Sequence, residues 1–251
     1  MQNNPVLFVH GIGASAGDWE RIEMPDRNAY YLSFSKPMDN PSDQVPELRS
    51  EIERILAIEK KEKIILVCHS MGGLTARQYL QEEGNGRRVE KLVMLSTPNL
   101  GSVALSFNLV PYLLLLAGIF GMQWIWPLIF LIAGFIWEWL SFIHGIVLLS
   151  PAVFAMRPDS GFIARLNSTV MPSEVKYIAM LSNANRFPYF LANYLLFWEG
   201  GDGAVPLSSQ RFSPKIVPNF SEIDYSEYWI NLPHFIIPQR VNSFLHQALL
   251  R

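Results

Sequence analysis

A serine becomes a nucleophile when a tight turn from strand to helix holds its hydroxyl clear of the sheet. The stretch Val67-Cys68-His69-Ser70-Met71-Gly72-Gly73 has that form, with an apolar strand run before it and a helical pattern after it. Such a turn strains the backbone and tolerates only small neighbours, a place that Gly72 fills. Taken by itself, the stretch also fits a serine that merely caps a helix.

A serine hydroxyl needs a base to take its proton, an acid to orient that base, and donors for the oxyanion it creates. Four residues after the first strand run begins, His10-Gly11-Ile12-Gly13 supplies a glycine-rich loop, and by position the backbone amides of Ile12 and Met71 are the candidate donors. His10 reads as a structural residue of that loop. For the acid, Asp202 lies in Gly200-Gly201-Asp202-Gly203-Ala204-Val205-Pro206, where glycines allow a fixed, turned presentation; a simple Asp-Gly turn is the alternative. Asp224 sits in what looks like an exposed strand or loop and Asp159 near a helix start, so Asp202 is favoured. His234, in Asn231-Leu232-Pro233-His234-Phe235, precedes the last helical pattern and completes the chain order Ser, Asp, His. His144 falls within an apolar stretch and His246 within the terminal helix, contexts that do not suit a base.

The elements that must carry these residues are strands alternating with helices. Buried strand runs are expected at Val6–Val9, Tyr30–Phe34, Lys63–Cys68, Val89–Leu95 and Val175–Leu181. Between them, Val45, Leu48, Ile52, Ile55 and Leu56 recur at helix spacing behind a cap at Ser42 or Asp43. A second helix begins at Ser70 and should stop at Gly84-Asn85-Gly86, and a last one follows Pro238. The pattern predicts an α/β fold with a mostly parallel, doubly wound sheet, whose ligand crevice lies beyond the carboxyl ends of the strands.

Together these pieces resemble the lipase and esterase branch of the α/β-hydrolase superfamily over nearly the whole chain outside one insertion. Ser96-Thr97-Pro98-Asn99-Leu100-Gly101-Ser102 and Ser160-Gly161-Phe162-Ile163-Ala164-Arg165-Leu166-Asn167 add to the likeness. The chain departs from the pattern in Cys68, where glycine is usual, in its early start, and in the apolarity of the insertion. The resemblance implies a hydrolase core over residues 1–102 and 157–251, with residues 103–156 forming a lid.

From Leu92 through Met156, Glu138 is the only charged side chain, and Trp124, Trp126, Trp137 and Trp139 are four of the chain's 7 tryptophans. A buried lid, a membrane-spanning hairpin and helices dipping into one leaflet are the three readings. Pro111, Gly118, Gly121, Pro127 and Gly134 interrupt full spans, which favours helices that dip into one leaflet and open a path to the site. Arg87, Arg88, Lys91, Arg157 and Arg165 then flank the insertion where anionic headgroups lie, or are simply solvated charges.

The remaining composition limits the alternatives. A net charge of -2 gives no reason to expect a nucleic-acid partner. Cys68 is the sole cysteine and the 5 histidines are scattered apart from His69, so neither a disulfide nor a metal is expected. The first residues carry no export pattern, which points to the cytoplasmic side, attached to the inner face of a membrane. The expected function is a cofactor-free serine carboxylic-ester hydrolase acting on lipid or long-acyl esters. An acyltransferase or thioesterase with the same triad, or a non-catalytic membrane-associated binding protein, are the rivals.

Overall fold

The computed structural model describes residues 3–19, 22–24, 26–105, 150–186 and 189–250. Six strands, β1 (Val6–Val9), β2 (Ala29–Leu32), β3 (Ile64–His69), β4 (Val89–Leu95), β5 (Lys176–Ser182) and β6 (Asp224–Ile230), form one sheet in the order β2-β1-β3-β4-β5-β6. Every pairing is parallel. Five of these strands fall on the expected runs to within two residues. β6 is the exception, because an edge strand pairs on one side only and its alternation of half-buried and exposed residues gives no continuous apolar run.

Helices cover both faces of the sheet. On one side, Leu7, Val9, Leu66, Cys68, Leu92 and Met94 pack against α1 (Pro41–Glu59) and α2 (Met71–Gln81), through Leu48, Ile52 and Ile55 of α1 and Ala76, Tyr79 and Leu80 of α2. On the other, Val6, Phe8, Ile65, Val67, Val93 and Leu95 meet Trp19 and the carboxyl-terminal residues Ile237, Val241, Leu245 and Leu249. Burying one such aliphatic side chain contributes about 1.5–3 kcal/mol, so the two layers hold the central strands rigidly.

Local sequence sets the helix ends, with three differences from expectation. Asn40, rather than Ser42 or Asp43, caps α1: its Oδ1 accepts from the Ser42 amide at 3.0 Å, which frees the Ser42 hydroxyl to donate to Gln78. α2 stops at Gln81, before Gly84, whose φ of 81° starts a separate 3₁₀ turn at Asn85–Arg88. The terminal segment forms two helices that meet at Val241, α7 (Ile237–Arg240) and α8 (Asn242–Leu250).

Between α2 and α7 in the chain lie α3 (Pro151–Ala155), α4 (Gly161–Ser168), α5 (Tyr189–Phe197) and α6 (Leu207–Gln210). α3 and α4 pack Ala152, Ala155, Phe162, Ile163 and Leu166 onto Met71 and Leu74, which fixes the chain that follows the insertion to the start of α2. Residues 106–149, the bulk of the expected lid, lie outside the described residues. Among the described residues no helix is long and apolar enough to cross a membrane.

Candidate active site

Ser70 stands at the carboxyl end of β3, a central strand, immediately before α2. Its φ of 53° and ψ of -124° put a non-glycine residue in a strained conformation, held by the bond from its amide to the Leu95 carbonyl at 2.9 Å. The two following glycines explain how the turn fits. A Cβ on Gly72 would come within 2.5 Å of the His10 carbonyl, and one on Gly73 would overlap Thr97 Oγ1. The expected small neighbours are therefore a steric necessity. Cys68, in the position where glycine is usual, is fully buried among the strands, and burial pushes its thiol pKa up.

His234 lies on a 3₁₀ turn ahead of α7, with Asp202 in the glycine-rich loop before α6. His234 Nδ1 is 2.6 Å from Asp202 Oδ2 and its Nε2 is 2.9 Å from Ser70 Oγ. Because a carboxylate only accepts, Nδ1 carries the proton and Nε2 is left to accept from the Ser70 hydroxyl. Ser70, Asp202 and His234 are 4%, 1% and 5% exposed, so the chain of bonds sits away from bulk water, where such interactions are strong.

The acid loop serves two purposes. Asp202 Oδ1 accepts from the amides of Ala204 at 3.0 Å and Val205 at 2.7 Å, closing the Asp-Gly turn, while Oδ2 remains for the imidazole. A backbone bond from the His234 amide to the Asp202 carbonyl, 3.0 Å, ties the two loops together. The rival acids are elsewhere: Asp224 pairs with Lys176 at the start of β6, and Asp159 pairs with Arg157 at the surface.

The glycine loop after β1 lies against Ser70, since a Cβ on Gly11 would approach Ser70 Cβ to 3.0 Å. His10 supports this loop. Its Nδ1 donates to the Gly11 carbonyl at 2.7 Å and its Nε2 accepts from the Phe34 amide at 3.1 Å, which commits both ring nitrogens in one neutral tautomer. Burial lowers its pKa in keeping with that state. Ile12 follows Gly11 in the loop, and Met71 opens α2, where the first amides have no partner within the helix.

Several residues that the sequence did not single out hold the site. His69 Nε2 donates to the His234 carbonyl at 3.1 Å; burial, then the neighbouring His234 ring, keeps its pKa well below the ordinary value. Gln210 donates to Ser182 and Val205 carbonyls and accepts from the Ser182 amide, while the Ser182 hydroxyl donates to the Leu232 carbonyl in the base loop. Asn193 on α5 bonds both flanks of Asp202. Its one available signal was a lone amide in the apolar run Phe190-Leu191-Ala192-Asn193-Tyr194-Leu195-Leu196-Phe197, where a polar side chain must find partners.

A nucleophile, a base and an acid connected in this order can carry out acyl transfer by proton shuttling. Among the described residues no group of three His, Cys, Asp or Glu side chains is arranged to hold a metal.

Comparison with solved structures places the chain in a known fold. A lipase from Bacillus licheniformis, BlEst2 in its mature form, is 21% identical and superimposes with a TM-score of 0.70 over 99% of this chain and 92% of its own. The phospholipase PlaB from Legionella pneumophila, 14% identical, gives 0.58 over 83% of this chain and 46% of its own. The metagenomic carboxyl esterase MGS0156, also 14% identical, gives 0.56 over 93% and 65%. The fold is that of the α/β-hydrolases. Residues 36–192, which include the Ser70 turn and end before Asp202 and His234, match the model of the domain of unknown function DUF7379. More than half of the sequence lies within that match, and the chain belongs to the DUF7379 family.

Proposed function

We propose that the protein is a serine carboxylic-ester hydrolase acting on lipid or long-acyl esters through an acyl-enzyme. The observation that carries this reading is the continuous relay from Ser70 Oγ through His234 to Asp202, with bonds of 2.9 and 2.6 Å, at a strained turn. In the proposed reaction Ser70 Oγ attacks the acyl carbonyl carbon as its proton passes to His234 Nε2. Asp202 stabilises the resulting imidazolium, and the Ile12 and Met71 amides donate to the oxyanion. Collapse expels the alcohol, which takes the proton from His234. A water, deprotonated by His234 in turn, then releases the acid and restores Ser70.

The choice of a lipid substrate rests on four supports. The 103–156 insertion is nearly free of charge. Tyr194 and Trp198, ring centroids 5.4 Å apart, are 59% and 79% exposed, an uncommon state for residues that favour the membrane interface. A cleft of about 250 Å³ beside the acid loop is lined by Leu100, Val103, Leu196 and Phe197 together with Glu199, Ser208 and Ser209. Lipase and phospholipase also occur among the proteins of similar fold.

Hydrolysis of p-nitrophenyl esters of increasing acyl length, with vesicles present, tests the reading. Activity that grows with chain length and vanishes in Ser70→Ala is expected; an inactive but folded wild type, or an active Ser70→Ala, would contradict it. The insertion carries the proposed contact with a membrane surface. Deleting about residues 109–149 should abolish co-sedimentation with vesicles, and unchanged binding would remove that part of the proposal.

A further inference from the structure

The acid loop is shaped around α5. A Cβ on Gly203, whose φ is 94°, would lie 2.9 Å from Tyr189 Cδ1, and a Cβ on Gly201 would lie 3.1 Å from Asn193 Oδ1. The two glycines beside Asp202 therefore admit a helix as well as a turn. Into that close approach α5 projects one amide side chain, 4% exposed, with three hydrogen bonds directed at the loop and the strand end behind it. Asn193 Nδ2 donates to the Gly201 carbonyl at 2.7 Å and to the Ala184 carbonyl at 3.4 Å, and its Oδ1 accepts from the Gly203 amide at 2.9 Å.

We infer that Asn193 is a positioning residue: by bonding the peptides on both sides of Asp202, it keeps that carboxylate aimed at His234 Nδ1. The Asp202 carboxylate bonds its own loop through Oδ1, to Ala204 and Val205, and the Asp202 amide donates to the Val205 carbonyl, all on its carboxyl-terminal side. On the amino-terminal side the bond to the Gly201 carbonyl adds to those that Gly201 makes with the Ala184 amide and Asn183 Oδ1, and the bond to Gly203 fixes the residue at which the loop turns. Without these bonds the carboxylate can rotate with its loop, and small angular errors in an orienting group are costly to catalysis. Asn193 touches no reacting atom; it acts through Asp202.

The inference uses the esterase reading for its kinetic test, so a second readout is independent of turnover. Asn193→Ala should lower kcat about 10- to 100-fold with KM changed by less than about threefold, the mark of an interaction that matters in the transition state. In an Asp202→Asn background the same change should cost less than about threefold more, because the group being positioned is already lost. The far-downfield NMR resonance of the His234 Nδ1 proton should be present in the wild type and in Ser70→Ala, and broaden or vanish in Asn193→Ala. Asn193→Asp, of equal size, keeps the acceptor for Gly203 but sets a buried carboxylate oxygen against the Gly201 and Ala184 carbonyls, and should show at least as large a loss of the same kind. Equal losses in both backgrounds with the resonance intact would overturn the inference and leave Asn193 a packing residue. Wild-type activity in both Asn193 variants would overturn it as well. A wild type that hydrolyses no ester, yet loses the resonance in Asn193→Ala, would sink the esterase reading while supporting the role of Asn193.

Discussion

The two halves of the site are held by different physics. Ser70 is fixed by packing: a strand buried on both faces, a strained turn, and glycines pressed against His10 and Thr97 leave its backbone a single conformation. Asp202 and His234 sit on loops beyond the sheet and are fixed by polar bonds from Asn193, Gln210, Ser182 and His69. Packing of the first kind fails when a side chain grows. A polar scaffold of the second kind fails when one partner is removed, because the groups left behind are buried and unsatisfied.

Predictions follow that difference. The largest effect should come from the polar half: Asp202→Asn leaves the loop in place but disrupts the imidazole tautomer, and kcat should fall about 10⁴-fold with little change in melting temperature. A mild loss in steady-state assays would show that the acid does not orient His234. In the packed half, Gly72→Ala must displace the His10 carbonyl from 2.5 Å, so both stability and activity should drop, by about 1–3 kcal/mol in denaturant titration. Near-wild-type behaviour would mean that the turn is not sterically fixed. Gln210→Ala strips the partners from Ser182 and Val205 and should cost about 1–3 kcal/mol, with turnover falling further than stability alone explains.

Acid should weaken the site by a smaller amount. His10 and His69 are buried beside the Ser70 turn, and burial lowers both pKa values from the ordinary 6.5. The unfolded chain therefore binds protons that the folded chain does not, and unfolding free energy rises with pH in that range. This contribution is complete above about pH 6.5 and is lost as pH falls below it, with a slope of at most about 1.4 kcal/mol per pH unit for each histidine. Urea titrations at pH 7.5 and 5.5 measure it, and His69→Asn should flatten the difference. An unaltered slope in that variant would assign the acid sensitivity elsewhere.

Legibility in the sequence divides along the same line. The Ser70 turn and the His10-Gly11 loop are readable because strand, small residue and functional residue are neighbours in the chain. Asp202 and His234 are readable from glycine context and chain order. Their supports are not: Gln210 meets Ser182 from 28 positions away, and His69 meets the His234 carbonyl from 165. β6 escaped the apolar-run criterion because an edge strand needs no such run, and Asn40 displaced Ser42 as a cap because the Ser42 hydroxyl bonds Gln78 on the next helix. In each case a partner distant in sequence decides the role of a residue.

The most direct test of the central claim is the intact mass of the protein after exposure to an alkyl fluorophosphonate, followed by peptide mapping. Attack by Ser70 Oγ forms a phosphorus–oxygen bond, expels fluoride and passes the serine proton to His234. One adduct per chain on the peptide containing Ser70, absent from folded Ser70→Ala and strongly slowed in His234→Ala, is the expected result. No adduct on the folded wild type, or one that persists in Ser70→Ala, would contradict Ser70 as the nucleophile.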